Sequence, residues 1–328
     1  MKFRELRVPE GAHDAMFKAM ERGEYASGPY IEYVEDKMKE IAKSKNAVSV
    51  SSGTMGLKIA LDVLGVRAGD MVIVPDLTFV VCATVIAELG AIPIFVDVDP
   101  NTLVIDRTSM INAMINHGHK VKAIMGVRLG GQELPEWIYD FDVPVIVDSA
   151  HSIDPKPEKA IMCVYSFHPS KIVSGIEGGL IATDDDVMAH KARRLRVFGF
   201  KEGTRVAHEI GYKAYMTNMS AVLVYHNLLC LDANLKRRAE IRDRYNEKLG
   251  LNRTGLGMYM VLAEKPDEVM SKVPAIQHYP MSLSRMLTGT PHNQVAHEAS
   301  KNLISLPFHE WMTDSDVDLV CATITGSN

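Results

Sequence analysis

Cysteine is scarce in this 328-residue chain: four residues, Cys82, Cys163, Cys230 and Cys321, stand far apart. Their spacing matches neither a metal-ligand set nor a small disulfide framework, which excludes a zinc module or a stapled secreted scaffold as the organising principle. Long apolar runs are missing too. The most apolar region, Met71 to Val98, is interrupted by Pro75, Asp76, Glu88, Gly90 and Pro93, well short of the roughly 20 uninterrupted residues that a membrane helix needs. Blocks of one charge sign are also lacking, with a net charge of −5 and dispersed basic residues. Neither nucleic acid nor a membrane is therefore an expected partner. The opening MKFRELRVPE has no apolar secretory core, and with the dispersed cysteines this gives the expectation of a reduced, cytoplasmic setting. The chain shows no internal repeat and no low-complexity segment.

What the chain does have is apolar content, 47% of its residues, enough for a large core and two domains. The apolar period alternates in a regular way. Ile31, Val34, Met38 and Ile41 mark one helical face, and AVSVSS then reads as a buried strand. Helix (55–64), strand (MVIVP), helix (79–89), strand (IPIFVDVD), helix (107–116) and strands (VKAIMGV, VPVIVD) follow. Strands that are apolar throughout, alternating with helices, predict an α/β fold with a mostly parallel sheet covered on both faces. Ligands in such sheets bind beyond the carboxyl ends of the strands. KAIMCVYSFHPS and GGLIATDDD read as two strands joined by a turn, and DDDVMAHKARRLRVF as a capped helix whose KARRLR run is a solvated face. One long helix is expected from Asn218 to Leu249, apolar in its first half and charged in its second. The expected division is a large domain over 1–235 and a small α+β domain over 236–328, with strands at GMYMVLAE and AIQHYPM.

Three short segments carry candidate chemistry. SSGTMG (51–56) joins a strand to a helix and offers hydroxyls and free N–H groups at a helix N-terminus, a site for a phosphate; by itself it reads first as an ordinary cap. VIVDSAH (145–151) ends a buried strand in Asp148, placed to hold a ring nitrogen protonated, or merely to cap a turn. YSFHPSK (165–171) sets Lys171 after an apolar and aromatic strand, where burial would lower its pKa and make it a reactive amine. Phosphate cup, strand-end aspartate and lysine, in that order, are the three functions that pyridoxal phosphate requires.

The stretches GPYIEYVEDKMKE, AVSVSSGTMGLKIAL, AGDMVIVPDLTFVVCATVIAELGAIPIFVDVDP, VDSAH, YSFHPSK with the later EGG, and GYKAYMTN resemble the DegT/DnrJ/StrS family. Weaker echoes, HYPMS and ISLPFHEWMTDSDVDLV, extend the similarity toward the C-terminus. The resemblance implies a fold-type I, pyridoxal phosphate-dependent sugar aminotransferase. It implies Lys171 as the Schiff-base lysine and Asp148 as the partner of the pyridinium nitrogen. Gly53, Thr54, Met55 and Ser166 would contact the phosphate, Phe79 would stack on the ring, and His151 would lie near the ring hydroxyl. His168 would position its neighbours, Glu177 with Gly178 and Gly179 would make a tight turn beside the cofactor, and Cys82 and Cys163 are simplest as buried small hydrophobes. Lys213 would reach a phosphate from a neighbouring subunit, which implies a homodimer with shared sites.

Lysine at 171, where some members carry histidine and become dehydratases, favours amino transfer. The small-molecule substrates implied are an amino acid, glutamate first, and a keto sugar, most simply nucleotide-linked. Tyr215 departs from the family's arginine, and the chain is short around 251–277 and before Gly211, so the acceptor stays open to a non-sugar or nucleotide compound. The alternatives are another pyridoxal reaction, such as decarboxylation or carbon-carbon bond chemistry, and a non-catalytic cofactor-binding sensor.

Overall fold

The computed structural model describes residues 1–201 and 203–326. Its centre is a seven-stranded sheet built from β1 (Asn46–Val50), β2 (Met71–Pro75), β3 (Ile92–Val96), β4 (Val121–Val127), β5 (Val145–Asp148), β6 (Met162–Ser166) and β7 (Gly179–Thr183). The order across the sheet is β1-β7-β6-β5-β4-β2-β3, and only β7 runs against its neighbours. Because β7 lies between β1 and β6, those two strands end on the same side as β2 to β5. The carboxyl ends of six strands therefore share one edge.

The two-residue period of a strand sorts side chains onto the two faces. Val72, Val74, Ala123, Met125, Ile146, Val164 and Ile181 enter one apolar core, with Leu57, Cys82 and Ile86 from the helices Gly53–Val63 and Val81–Glu88. Ile73, Ile124, Val145, Val147, Tyr165 and Leu180 enter the other, with Val34 and Met38 of the helix Tyr30–Ala42 and Val224 of the helix Asn218–Leu229. Burial on both faces is what made these strands read as continuous apolar runs. The same parity has a consequence for chemistry. Asp148 continues the row of Ile146, and Ser166 continues that of Val164, so both point to the side of the helix Gly53–Val63.

Two expectations are corrected here. The helical stretch from Asn218 is two helices, Asn218–Leu229 and Leu231–Leu249, broken at Cys230, whose φ of −96° and ψ of 2° leave the helical region. The apolar first helix stays on the core of the large sheet, while the charged second one leaves it. Leu231 and Leu235 still pack on that core, whereas Ile241 and Tyr245 belong to a separate one around Tyr259, Leu306 and Val317. Second, AIQHYPM is not a strand. The partner of β8 (Tyr259–Leu262) is β9 (Leu303–Leu306), paired antiparallel with Tyr259 opposite Leu306. Ile276 makes only an isolated bridge to Ser305; Pro280 has no N–H for a ladder, and His278 and Tyr279 line a cavity instead.

The loop after β4 crosses the segment leading into β8 at very close range. The N–H groups of Gly257 and Met258 both donate to Gly130 O, at 3.0 and 3.1 Å, and Gln132 Oε1 accepts from Thr254 and Gly255. A Cβ on Gly257 would lie 1.8 Å from His151 O. Gly257→Ala is thus expected to destabilise the protein by about 3 kcal/mol or more, by forcing backbone apart at a buried crossing. Urea unfolding checks it, and a midpoint equal to the wild type would show that the crossing yields freely.

Candidate active site

The shared strand edge opens into a cavity of about 610 Å³, lined from the ends of β1, β4, β5 and β6 and from the segments around Phe79, Met258 and Tyr279. That volume is typical of a small-molecule site. Lys171, Asp148, Gly53, Thr54, Phe79, His151 and Ser166 all line it. Met55 and Lys213 do not.

Asp148 closes β5 and is 5% exposed. Its Oδ1 accepts the Ala150 N–H at 2.8 Å, and its Oδ2 accepts the Cys82 thiol at 3.3 Å. Cys82 is buried, as expected of a small hydrophobe, but it also reaches across 66 positions to hold the carboxylate. Burial raises the Asp148 carboxyl above the usual aspartate range, while the Ala150 N–H, the Cys82 thiol and Lys171 pull the other way. A buried carboxylate of this kind is stabilised by a cationic donor brought against it.

Lys171 sits in the connection between β6 and β7, which is a tied loop of twelve residues rather than a tight turn. Phe167 N–H donates to Gly178 O, Gly175 N–H to Phe167 O and Lys171 N–H to His168 O, each at 2.8 Å. His168 Nδ1 accepts the Ser170 N–H at 3.1 Å and so braces the residue before the lysine. From below, Glu177 N–H donates to Ser220 Oγ at 3.0 Å and Asn227 Nδ2 to Ser174 O at 2.8 Å. The helix Asn218–Leu229 therefore holds the lysine loop as well as filling the core. Burial pushes the Lys171 amine down to about 8, with Asp148 opposing and Arg4 adding to the effect.

The cup follows from close packing. Ser52 caps the helix Gly53–Val63, its Oγ accepting the Met55 N–H at 3.2 Å. That N–H is taken by the cap and Met55 packs into the core, so the free amides are those of Gly53 and Thr54. A Cβ on Gly53 would stand 2.9 Å from Ser166 Cβ. Glycine lets the helix start press against the end of β6, which puts two free N–H groups and the Ser166 hydroxyl around one small space. This donor set suits a phosphate, and with Asp148 and Lys171 in the same cavity the residues fit pyridoxal phosphate.

His151 Nδ1 accepts the Gly130 N–H at 3.2 Å. Burial, with the charge of Lys171 second, holds this imidazole well below the usual histidine range, so it is neutral and carries its proton on Nε2. Phe79 is 56% exposed, an aromatic ring left uncovered at the cavity. Lys213 is exposed and bridges Val197 through its backbone, away from the cavity of its own chain. The sequence reading missed Arg4, Thr78 and Met258, which also line the cavity. Thr78 stands beside Phe79 in the DLTFVV stretch and could have been named with it, and the HYPMS echo did point toward His278 and Tyr279; nothing in the local sequence marks Arg4 or Met258.

The model of the DegT/DnrJ/EryC1/StrS aminotransferase family matches residues 9–278. The chain belongs to this family. Among curated relatives, the UDP-2-acetamido-2-deoxy-3-oxo-D-glucuronate aminotransferase of Pseudomonas aeruginosa is 27% identical, over 99% of this chain and 98% of its own. The spore coat polysaccharide biosynthesis protein SpsC of Bacillus subtilis is 32% identical over 70% of this chain and 64% of its own. A DegT/DnrJ/EryC1/StrS aminotransferase from Brucella abortus superposes with a TM-score of 0.89 at 25% identity, covering 98% of this chain and 99% of that one. NtdA of Bacillus subtilis, solved with PMP bound, superposes equally well, with a TM-score of 0.89 at 23% identity over 99% of this chain and 86% of its own. This DegT/DnrJ-family chain is thus a fold-type I, pyridoxal phosphate-dependent aminotransferase. Among its described residues no helix is long and apolar enough to cross a membrane.

Proposed function

We propose that the protein transfers an amino group from an amino acid, glutamate by preference, to a keto sugar carried on a nucleotide. The observation that carries this reading is the convergence of Lys171, Asp148 and the Gly53–Ser166 cup on one cavity, in a chain whose relative acts on a UDP-linked 3-oxo sugar. Bound pyridoxal phosphate supplies an electron sink that makes the proton on an amino-bearing carbon acidic.

In this reading Lys171 Nζ would hold the cofactor, and its amine is the group that would carry a proton at the reacting carbon. Asp148 Oδ2 holds a proton on the ring nitrogen by a charge-assisted hydrogen bond. Gly53 and Thr54 donate amide N–H groups to the phosphate, and Ser166 its hydroxyl; Met55 contributes only through the cap. Phe79 covers a ring face, and His151 donates from Nε2 toward the ring hydroxyl. The partner's Lys213 adds a point charge to the phosphate in a cytoplasmic homodimer. We take 1–235 as the cofactor-binding domain and 236–328 as the small one.

Spectroscopy on the purified protein tests the reading. A visible cofactor band should be present and should be lost on adding L-glutamate. A nucleotide-linked keto sugar should restore it and yield the amino sugar. A band that no amino acid alters would refute amino transfer, and restoration only by free keto acids would refute the sugar acceptor.

A further inference from the structure

Arg4 enters the cavity from a segment that crosses its wall, and that segment is fastened on three sides. Lys2 O lies 3.3 Å from His309 Nε2, the Phe3 ring lies 5.5 Å from the His278 ring, and the Arg7 guanidinium stands 4.1 Å over Trp311. Arg4 itself has no hydrogen-bond or ion-pair partner among the described residues. The acid whose charge acts on it, Glu310, is held by the buried Arg238, with Nε and Nη2 each 3.0 Å from Oε2. Arg238 thus takes that carboxylate, and the guanidinium facing the cavity is left over. Burial, with Arg238 second, brings Arg4 down to about 10, so it stays charged at neutral pH.

We infer that Arg4 anchors the carboxylate of the amino donor, an inference that rests on the aminotransferase reading above. An amino donor must bring its amino-bearing carbon to Lys171, and its α-carboxylate is one bond from that carbon. The guanidinium that receives it must therefore face the same space as the lysine, as Arg4 does. The diphosphate of a nucleotide sugar is separated from the reacting carbon by part of the sugar ring. The cofactor's own phosphate already has the Gly53–Ser166 cup. A planar guanidinium also matches a carboxylate with two parallel hydrogen bonds, which an ammonium cannot reproduce.

The test uses the cofactor-loaded enzyme and two unreactive probes, glutarate and UDP, by calorimetry. Arg4→Gln should weaken glutarate binding about 10- to 100-fold, the range for one charge-assisted pair, and leave UDP binding unchanged. Arg4→Lys should recover part of the loss. In the half-reaction with L-glutamate, Arg4→Gln should raise the half-saturating concentration by a similar factor with the starting absorbance band intact. Arg7→Ala, which loosens the same segment without removing the cavity charge, should shift glutarate binding much less. Unchanged glutarate binding in Arg4→Gln, or no glutarate binding to the wild type, overturns the inference. Weakened UDP binding with glutarate unaffected reassigns Arg4 to a phosphate and equally overturns it. Failure of the parent reading looks different: the wild-type band then ignores every amino acid, whatever glutarate does.

Discussion

Lys171→Ala is expected to abolish amino transfer, a loss of about 10⁴-fold or more, and to leave no cofactor that borohydride can fix to the chain. On the proposed roles, two separate functions would disappear with one amine, the covalent anchor and the group that carries the proton. The amine is suited to both because burial brings it to about 8. At pH 7.5 roughly a quarter of Lys171 is then neutral, against about one in a thousand for a solvated lysine. Coupling of added cofactor to the emptied enzyme should accordingly accelerate as pH rises, with a midpoint near 8 in place of one above 10. The sign follows from the nucleophile being the unprotonated amine. The loop that carries the residue is held by backbone and by Ser220 and Asn227, none of which depends on the lysine side chain. The variant should therefore fold, and an unchanged melting curve should accompany the lost activity. Borohydride-fixed cofactor in the variant would assign the anchor to another lysine.

Much of this arrangement was legible before any coordinates. Parallel strands buried on both faces are apolar runs closed by proline, glycine or aspartate, and MVIVP and VKAIMGV coincide with β2 and β4 residue for residue. The site could be read in outline because a parallel sheet brings its strand ends to one edge, so the order of SSGTMG, VDSAH and YSFHPSK implies their proximity. What was missed depends on distant pairs. The tie from Cys82 to Asp148 and the isolation of Arg4 beside Arg238 and Glu310 are properties of the folded arrangement, without a local signature. The break at Cys230 was hidden because no glycine or proline marks it. AIQHYPM misled because apolar and aromatic residues look alike whether they face a sheet or line a cavity.

The second large effect should come from Asp148→Asn, with kcat lower by about 10² to 10⁴. Asparagine keeps the size of the side chain and an oxygen for the Ala150 N–H, now at 2.8 Å, but it has no charge to hold a proton on a ring nitrogen. Removing one member of a buried charged pair costs about 3–5 kcal/mol, and each 1.36 kcal/mol lost from the transition state is about tenfold in rate. Burial raises the Asp148 carboxyl even with the Ala150 N–H, the Cys82 thiol and Lys171 opposing it, so its charge is held at a cost. A cationic ring brought against it would relieve that cost, so cofactor affinity should fall in the variant along with rate. Cys82→Ala provides the comparison, because it removes one donor at 3.3 Å and leaves the charge. Its effect should stay within about tenfold, because a thiol is a weak donor and the carboxylate keeps its charge. Cofactor titration and single-turnover rates on both variants separate these outcomes. If Asp148→Asn loses no more than Cys82→Ala, the carboxylate acts on the site only as a hydrogen-bond acceptor, and the charge assigned to it here has no catalytic part.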